Sequence, residues 1–290
     1  MHQYLPAIGF SKINREKLEQ LLDEVILRPD YQEAAIDFEG NQFVELRYMV
    51  ADNIGLVLRG LYDENDDFIL DYYYPTYFGS TESTKGTLDV IKQSDKDNYQ
   101  VMCDEVKLGV NLIYQLQNMG EYLRSGKKDS KIESKVSQLS ALSIEGKVLL
   151  PIYDNEKSRT KAKMNYDRRI ELVEQAREGD EEAMENLTMD EIELYQKISR
   201  RITREDILSV VTSYFMPYGI ENDKYEILGE IMDVKEVVNH LTMEEMYLMI
   251  IECNDVPLEL CINKNNLYGM PAPGRRFKGI IWLQGTVDFS

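Results

Sequence analysis

Histidine is nearly missing from this chain: His2 and His240 are the only two in 290 residues. A His-rich metal site cannot be assembled from them, and no Cys-x-x-Cys pair offers a thiolate alternative. Cysteine is sparse and odd in number, with Cys103, Cys253 and Cys261. A secreted disulfide scaffold would be denser and even-numbered, so a reducing compartment and three free thiols are expected. Long apolar runs are absent too. The longest, Met246 to Ile251, has six residues, against the ~20 that a membrane-spanning helix needs. The opening residues Met1 to Pro6 carry no basic region followed by an apolar core, so no signal peptide is expected. There is no Gly-x-Ser-x-Gly elbow, no dinucleotide-binding glycine motif and no Walker loop. Basic residues are in deficit, 33 against 52 acidic, for a net charge of −19. So acidic a surface repels phosphate backbones, which disfavours nucleic acid as a partner. The expectation is a cytoplasmic protein with no membrane association and no cofactor.

Apolar residues make up 43% of the chain and charged residues 29%, the balance of a globular protein. Its length fits about two domains. Leu18, Leu21, Leu22, Val25 and Ile26 recur with helical spacing, Asn14 is a candidate N-cap, and Pro29 stops the helix. From residue 34 to about 105 the period changes to two. Runs of β-prone residues break at Glu39-Gly40-Asn41, at Asp52-Asn53 and at Asp63-Glu64-Asn65-Asp66-Asp67, the mark of an antiparallel meander. The acidic cluster reads as a hairpin tip ahead of a cation site, because it lacks the central glycine of a calcium loop. Gly79 to Gly86 loosely resembles a phosphate loop in the wrong order and reads as a polar surface loop. Leu108, Leu112, Leu116, Met119 and Leu123 predict a helix over 107–124.

Residues 1–125 therefore read as an α+β helix–meander–helix domain, and 126–165 as a polar linker with a short strand at 148–150. The basic run Lys157, Arg159, Lys161 and Lys163 reads as solvated, or docked on acidic neighbours. Residues 166–219 read as a helical segment. Gly179 is a C-cap, Asp180 an N-cap, and Thr188 and Thr203 open capping boxes. That segment has too little positive charge for a DNA reader. Residues 220–290 return to period two, and five short strands predict a small β-barrel of the oligonucleotide-binding or SH3-like kind. Its hairpin register is specific: a two-residue turn at Asn254-Asp255 pairs Cys253 with Val256, Ile251 with Leu258, Met249 with Leu260 and Tyr247 with Ile262. Cys261 then faces away from Cys253.

Several segments, Ser199-Arg200-Arg201-Ile202, Tyr214 to Ile220, Glu252-Cys253-Asn254-Asp255, Gly274 to Gly285 and the opening Tyr4 to Phe10, resemble a domain-of-unknown-function family of clostridial bacteria. The resemblance spans the whole chain. It implies a bacterial cytoplasmic protein and no catalytic activity to carry over.

Three functions compete. The first is a non-enzymatic binding or protein-interaction module whose partner is a protein or a small molecule. It rests on tyrosine enrichment, 19 against 8 Phe. Tyr72, Tyr74 and Tyr77 are its candidate binding residues, against the plainer reading of a core with hydroxyls at its rim. The second is single-stranded nucleic-acid binding through Arg276, Lys278 and Trp282, which alternation places on one strand face. Residues 220–290 hold six basic against twelve acidic side chains, an unfavourable field. The third is a carboxylate-based hydrolase. Trp282 is expected to pack against the helices of 188–216 instead of stacking on bases.

Overall fold

The computed structural model describes residues 1–92, 98–105, 107–108, 110–126, 131–152, 156–190, 208 and 211–289. The N-terminal helix α1, Arg15–Leu27, is capped as expected: the Asn14 side chain accepts from the Lys17 amide at 2.9 Å. Its buried stripe is Leu18, Leu21, Leu22 and Val25. A turn of 3-10 helix, Leu5–Ile8, precedes it and ends on Gly9 at φ 85, a left-handed position that favours glycine. The meander forms with β1 Tyr31–Ile36, β2 Gln42–Ala51, β3 Ile54–Tyr62 and β4 Phe68–Tyr77, all antiparallel neighbours. Its acidic tip is a side-chain-supported turn, in which Asp63 accepts from the amides of Asn65 and Asp67.

The next strands leave the meander and join a larger sheet. They are β5 Thr84–Lys92, β6 Tyr99–Glu105 and β7 Val110–Leu116. The helix predicted over 107–124 is therefore corrected: Leu112, Tyr114 and Leu116 alternate inward along β7, and only α2, Met119–Arg124, is helical. Leucines four apart satisfy a period of two as well as one of 3.6. The segment expected to be a linker, 126–165, instead supplies the longest strand of the fold, β8 Lys131–Leu149, and the start of helix α3, Glu156–Arg177. The basic run falls on the first turns of α3.

Beyond α3, Gly179 takes φ 94 as a C-cap does. The Asp180 carboxylate accepts from the amides of Glu182 and Ala183. One helix spans residues 181–190. Thr188 is not an N-cap: its hydroxyl donates back to the Met184 carbonyl at 2.9 Å, inside that helix. The box expected at Thr203 lies outside the described residues. Its helix was expected to run to Phe215, but Phe215 belongs to a strand, β9 Tyr214–Pro217.

The remaining strands are β10 Lys224–Val238, β11 Glu245–Cys253, β12 Val256–Asn263, β13 Leu267–Tyr268 and β14 Arg276–Val287. The β11–β12 register matches the sequence reading at all four pairs, with Asn254 at φ 49 and Asp255 at φ 57 in the turn. Two positive φ values at the centre of a two-residue hairpin match the right-handed strand twist. The self-contained barrel expected of 220–290 does not form. The hydrogen-bonded ring β10–β11–β12–β8–β14 closes only through β8, from outside that range. A second ring, β8–β5–β6–β7–β14, shares the β8–β14 pair.

Two cores follow from this wall. The inward faces hold Leu88, Val101, Leu112, Tyr114, Leu139, Leu258, Phe277, Ile281 and Leu283. The outward face of the wall, with Leu142, Leu248, Cys261 and Trp282, packs under the meander, α1 and the Leu5–Ile8 turn. Strands buried on both faces carry apolar residues at successive positions. Where β8 is polar, Ser137, Ser140 and Ser143 are fully buried and each is hydrogen-bonded.

Candidate functional site

Trp282 is 7% exposed, so strand parity alone misleads about it. It does lie opposite Ile281 and Leu283, as alternation requires, but that second face is covered as well. The packing expected against the helical segment 188–216 falls mostly on residues outside the described ones. The ring neighbours of Trp282 are the N-terminal residues and the meander: Tyr4 stacks on it at 5.4 Å and 28°, His2 lies at 4.9 Å, and Tyr74 meets it edge-on at 6.2 Å. Such rings attract by dispersion and by their quadrupoles.

These rings floor a cleft of about 440 Å3, whose walls include Tyr72, Tyr74, Asn98, Gln100, Gln115 and the loop from Ile220 to Lys224. The loop is built by the β9–β10 hairpin, closed by the Tyr218 amide on the Lys224 carbonyl at 2.8 Å and turned at Gly219 with φ 73. It holds Asp223 against Trp282. The indole Nε1 donates to Asp223 Oδ2 at 2.9 Å, and the Gln100 amide donates to the same oxygen at 3.3 Å. Burial pushes the Asp223 carboxyl above its ordinary value, despite these two donors. Tyr4 is also pushed up, by burial first and then by the negative charge of Asp223 and Glu221. Lys224 pairs with Glu221, and its ammonium lies 5.6 Å from the Tyr4 ring centre.

Behind the tyrosine wall sits Arg59, 1% exposed. It donates to Glu45 at 2.8 Å, to the Tyr72 hydroxyl at 2.9 Å, to the Tyr74 hydroxyl at 2.8 Å and to the Leu116 carbonyl at 3.2 Å. One guanidinium thus fixes both tyrosines and ties the meander to β7. Burial alone would lower its pKa. The Tyr72 and Tyr74 hydroxyl oxygens, which accept from it, and the Glu45 carboxylate outweigh that and hold the charge in place. The register slips at Asp71, where Arg59 faces Tyr72 but Gly60 faces Leu70. Such bulges re-aim side chains beside sites.

Tyr77, the third tyrosine singled out, lies elsewhere. Its hydroxyl donates to Glu259 Oε2 in a short contact. The other oxygen, Oε1, accepts from the Ser80 and Thr81 amides at 2.7 and 2.8 Å and from both their hydroxyls. The loop that loosely resembled a phosphate cradle grips an anion from its own chain. Burial would raise the Glu259 pKa, but the Tyr77, Ser80 and Thr81 donors hold it below the ordinary range. A carboxylate so saturated with donors is a poor general acid. These residues line a wider cleft of about 640 Å3 with Asp52, Asp233 and Lys235.

Arg276 and Lys278 do not join Trp282. Arg276 is buried and donates to the Leu150 and Val211 carbonyls at 2.9 Å each. Lys278 pairs with Glu226 at 3.0 Å. Six strand steps separate Arg276 from Trp282, roughly 20 Å. Of the six residues singled out, Tyr72, Tyr74 and Trp282 converge on one cleft and the other three do not. The sequence reading missed Asp223, Arg59, Tyr4 and the amides of Gln100 and Gln115. The only signal for Tyr4 was the opening segment that carried the family resemblance. No group of three or more candidate metal ligands occurs among the described residues, and no described helix is long and apolar enough to cross a membrane.

The chain belongs to the family described as a domain of unknown function from an E. rectale gene description (DUF3881), whose model matches residues 5–285. All cleft residues except His2, Gln3 and Tyr4 fall inside that range. No curated protein and no solved structure matches the chain.

Proposed function

We propose that this protein is a non-enzymatic binding module, and that its ligand is a small polar organic molecule seated in the cleft over Trp282. The observation that carries this reading is the convergence of aromatic rings, side-chain amides and one half-buried carboxylate on a concave surface. Such sites combine an apolar floor with a few polar groups that fix orientation. The residues come from the N-terminus, β4, the approach to β6, β7, the β9–β10 loop and β14, so the cleft is a product of the whole fold. Tyr72 and Tyr74 are held by Arg59 before any ligand arrives, and such preorganisation lowers the ordering cost of binding. The field at the Trp282 ring is negative, which counts against bases and phosphates there.

The test is a thermal-shift screen of small polar and charged metabolites, read in parallel by the fluorescence of Trp282, the chain's sole tryptophan. Hits are expected to raise the melting temperature, to change the emission, and to lose both effects in Asn222→Phe, which places a ring at the mouth of the cleft. Hits that stabilise that variant as well as the wild type would show that the ligand sits elsewhere. A screen without hits would contradict the reading outright.

A further inference from the structure

The reading of the cleft as a ligand site leaves the ligand's charge open, and the structure narrows it. Asp223 and Glu221 are the cleft's two carboxylates, and they are not equivalent. Glu221 has a counter-cation in Lys224. Asp223 has none among the described residues; its side-chain donors are the neutral Trp282 indole and Gln100 amide, and both bond Oδ2. A half-buried carboxylate with only neutral partners is an incomplete ion pair, and a cation placed beside it would strengthen both the contact and the charged form.

The surrounding rings suit a cation as well. Tyr4, His2 and Tyr74 lie with ring centres 5.4, 4.9 and 6.2 Å from that of Trp282. An ammonium within about 6 Å of an aromatic ring centre is attracted by the ring quadrupole. The chain itself gives an example, since the Lys224 ammonium lies over the Tyr4 ring. Ile220, the most exposed large apolar residue among the described residues at 99%, lines the same cleft and offers a surface to a short hydrocarbon chain. The net charge of −19 would draw cations toward the cleft and repel anions.

We infer that the cleft receives an organic ammonium compound, its charged nitrogen beside Asp223 at the rim of the aromatic cluster, its short alkyl part toward Ile220. This rests on the binding reading above. The test is a titration of the full-length protein by calorimetry with four probes of similar size: n-butylammonium, choline, the neutral choline isostere 3,3-dimethylbutan-1-ol, and butyrate. The cations are expected to bind at least about tenfold more tightly than the neutral alcohol, and butyrate not to bind. Asp223→Asn keeps an acceptor for the indole and removes the charge. It is expected to weaken the cations by about tenfold while leaving the alcohol unchanged. A wild type that binds the alcohol or butyrate as well as the ammonium probes overturns the inference and leaves the binding reading standing. Failure of all four probes to bind also overturns it, while the metabolite screen separately decides whether the cleft binds anything. If Asp223→Asn melts early, unaltered alcohol binding by the same variant shows that its cleft is intact; equal loss for all probes contradicts the assigned role of Asp223.

Discussion

Arg59 is the residue on which most depends. It is the largest of the fully buried side chains, and its ion pair with Glu45 lies where removing one partner strands the other charge. Breaking such a pair costs about 3–5 kcal/mol, whereas replacing both partners with apolar groups is often neutral. Glu45 keeps a second partner in Arg47, at 2.6 Å, so Arg59→Met is expected to lose about 3 kcal/mol in urea unfolding. The double variant Arg59→Met with Glu45→Met should recover part of that loss. A single variant within about 1 kcal/mol of wild type would refute the hub. Glu259 supports a pH prediction. Its folded pKa lies below the ordinary value of about 4.3, so its stabilisation is fully present above that value and is lost as pH falls through the folded pKa. Glu259→Gln should therefore flatten the acid side of the melting-temperature profile; an unchanged acid slope would contradict the role given to the Ser80–Thr81 grip. The three cysteines are free and buried. Burial, then the nearby Glu105 and Asp104, pushes Cys103 up to about 11, and burial raises Cys253 and Cys261 too. The folded protein should resist a thiol reagent, and the denatured, unreduced chain should titrate three thiols. Fewer than three would reveal a disulfide.

At the scale of elements, the meander and the β11–β12 hairpin were legible because turn residues and strict alternation both marked them. The β7 and β8 strands were not, for different reasons. The β7 leucines fit two periods at once. β8 fell inside a stretch read as a linker from its polar start and the basic run after it, yet its buried Ser140 and Ser143 donate to the Tyr77 and Ile280 carbonyls and Ser137 bonds the Tyr114 hydroxyl. Pairing between β8 and β14 links residues more than a hundred positions apart, which no local pattern reports. The consequence can be tested by limited trypsin digestion. Lys135 and Lys147 are paired residues of β8, with Gly86 and Lys278, whereas Arg168 and Arg169 lie exposed on α3. The first cuts are expected in α3. A first cut at Lys135 or Lys147 would show that β8 is not held as described, and would restore the linker expected from composition.

At the scale of the whole molecule, the two rings and the meander bring together groups that the sequence keeps apart. A surplus of tyrosine and a single tryptophan pointed to Tyr72, Tyr74 and Trp282, and these do meet. Asp223 looked like one loop acid among many, since nothing local distinguishes a carboxylate that faces an indole from one that faces water. Arg276 and Lys278 looked like a basic platform only while β14 was read alone; β10 and the approach to β9 occupy both. The same convergence makes Trp282 a sensitive reporter, because its indole N–H is bonded to the carboxylate proposed to meet the ligand.

The most direct measurement of the central claim is therefore the 1H–15N indole resonance of Trp282, followed while a ligand from the screen is added. The account predicts one indole peak that moves saturably with ligand in the wild type, with a weakened response in Asp223→Asn. A ligand that stabilises the protein yet leaves the indole peak unmoved would contradict it, and would place the binding site away from the cleft.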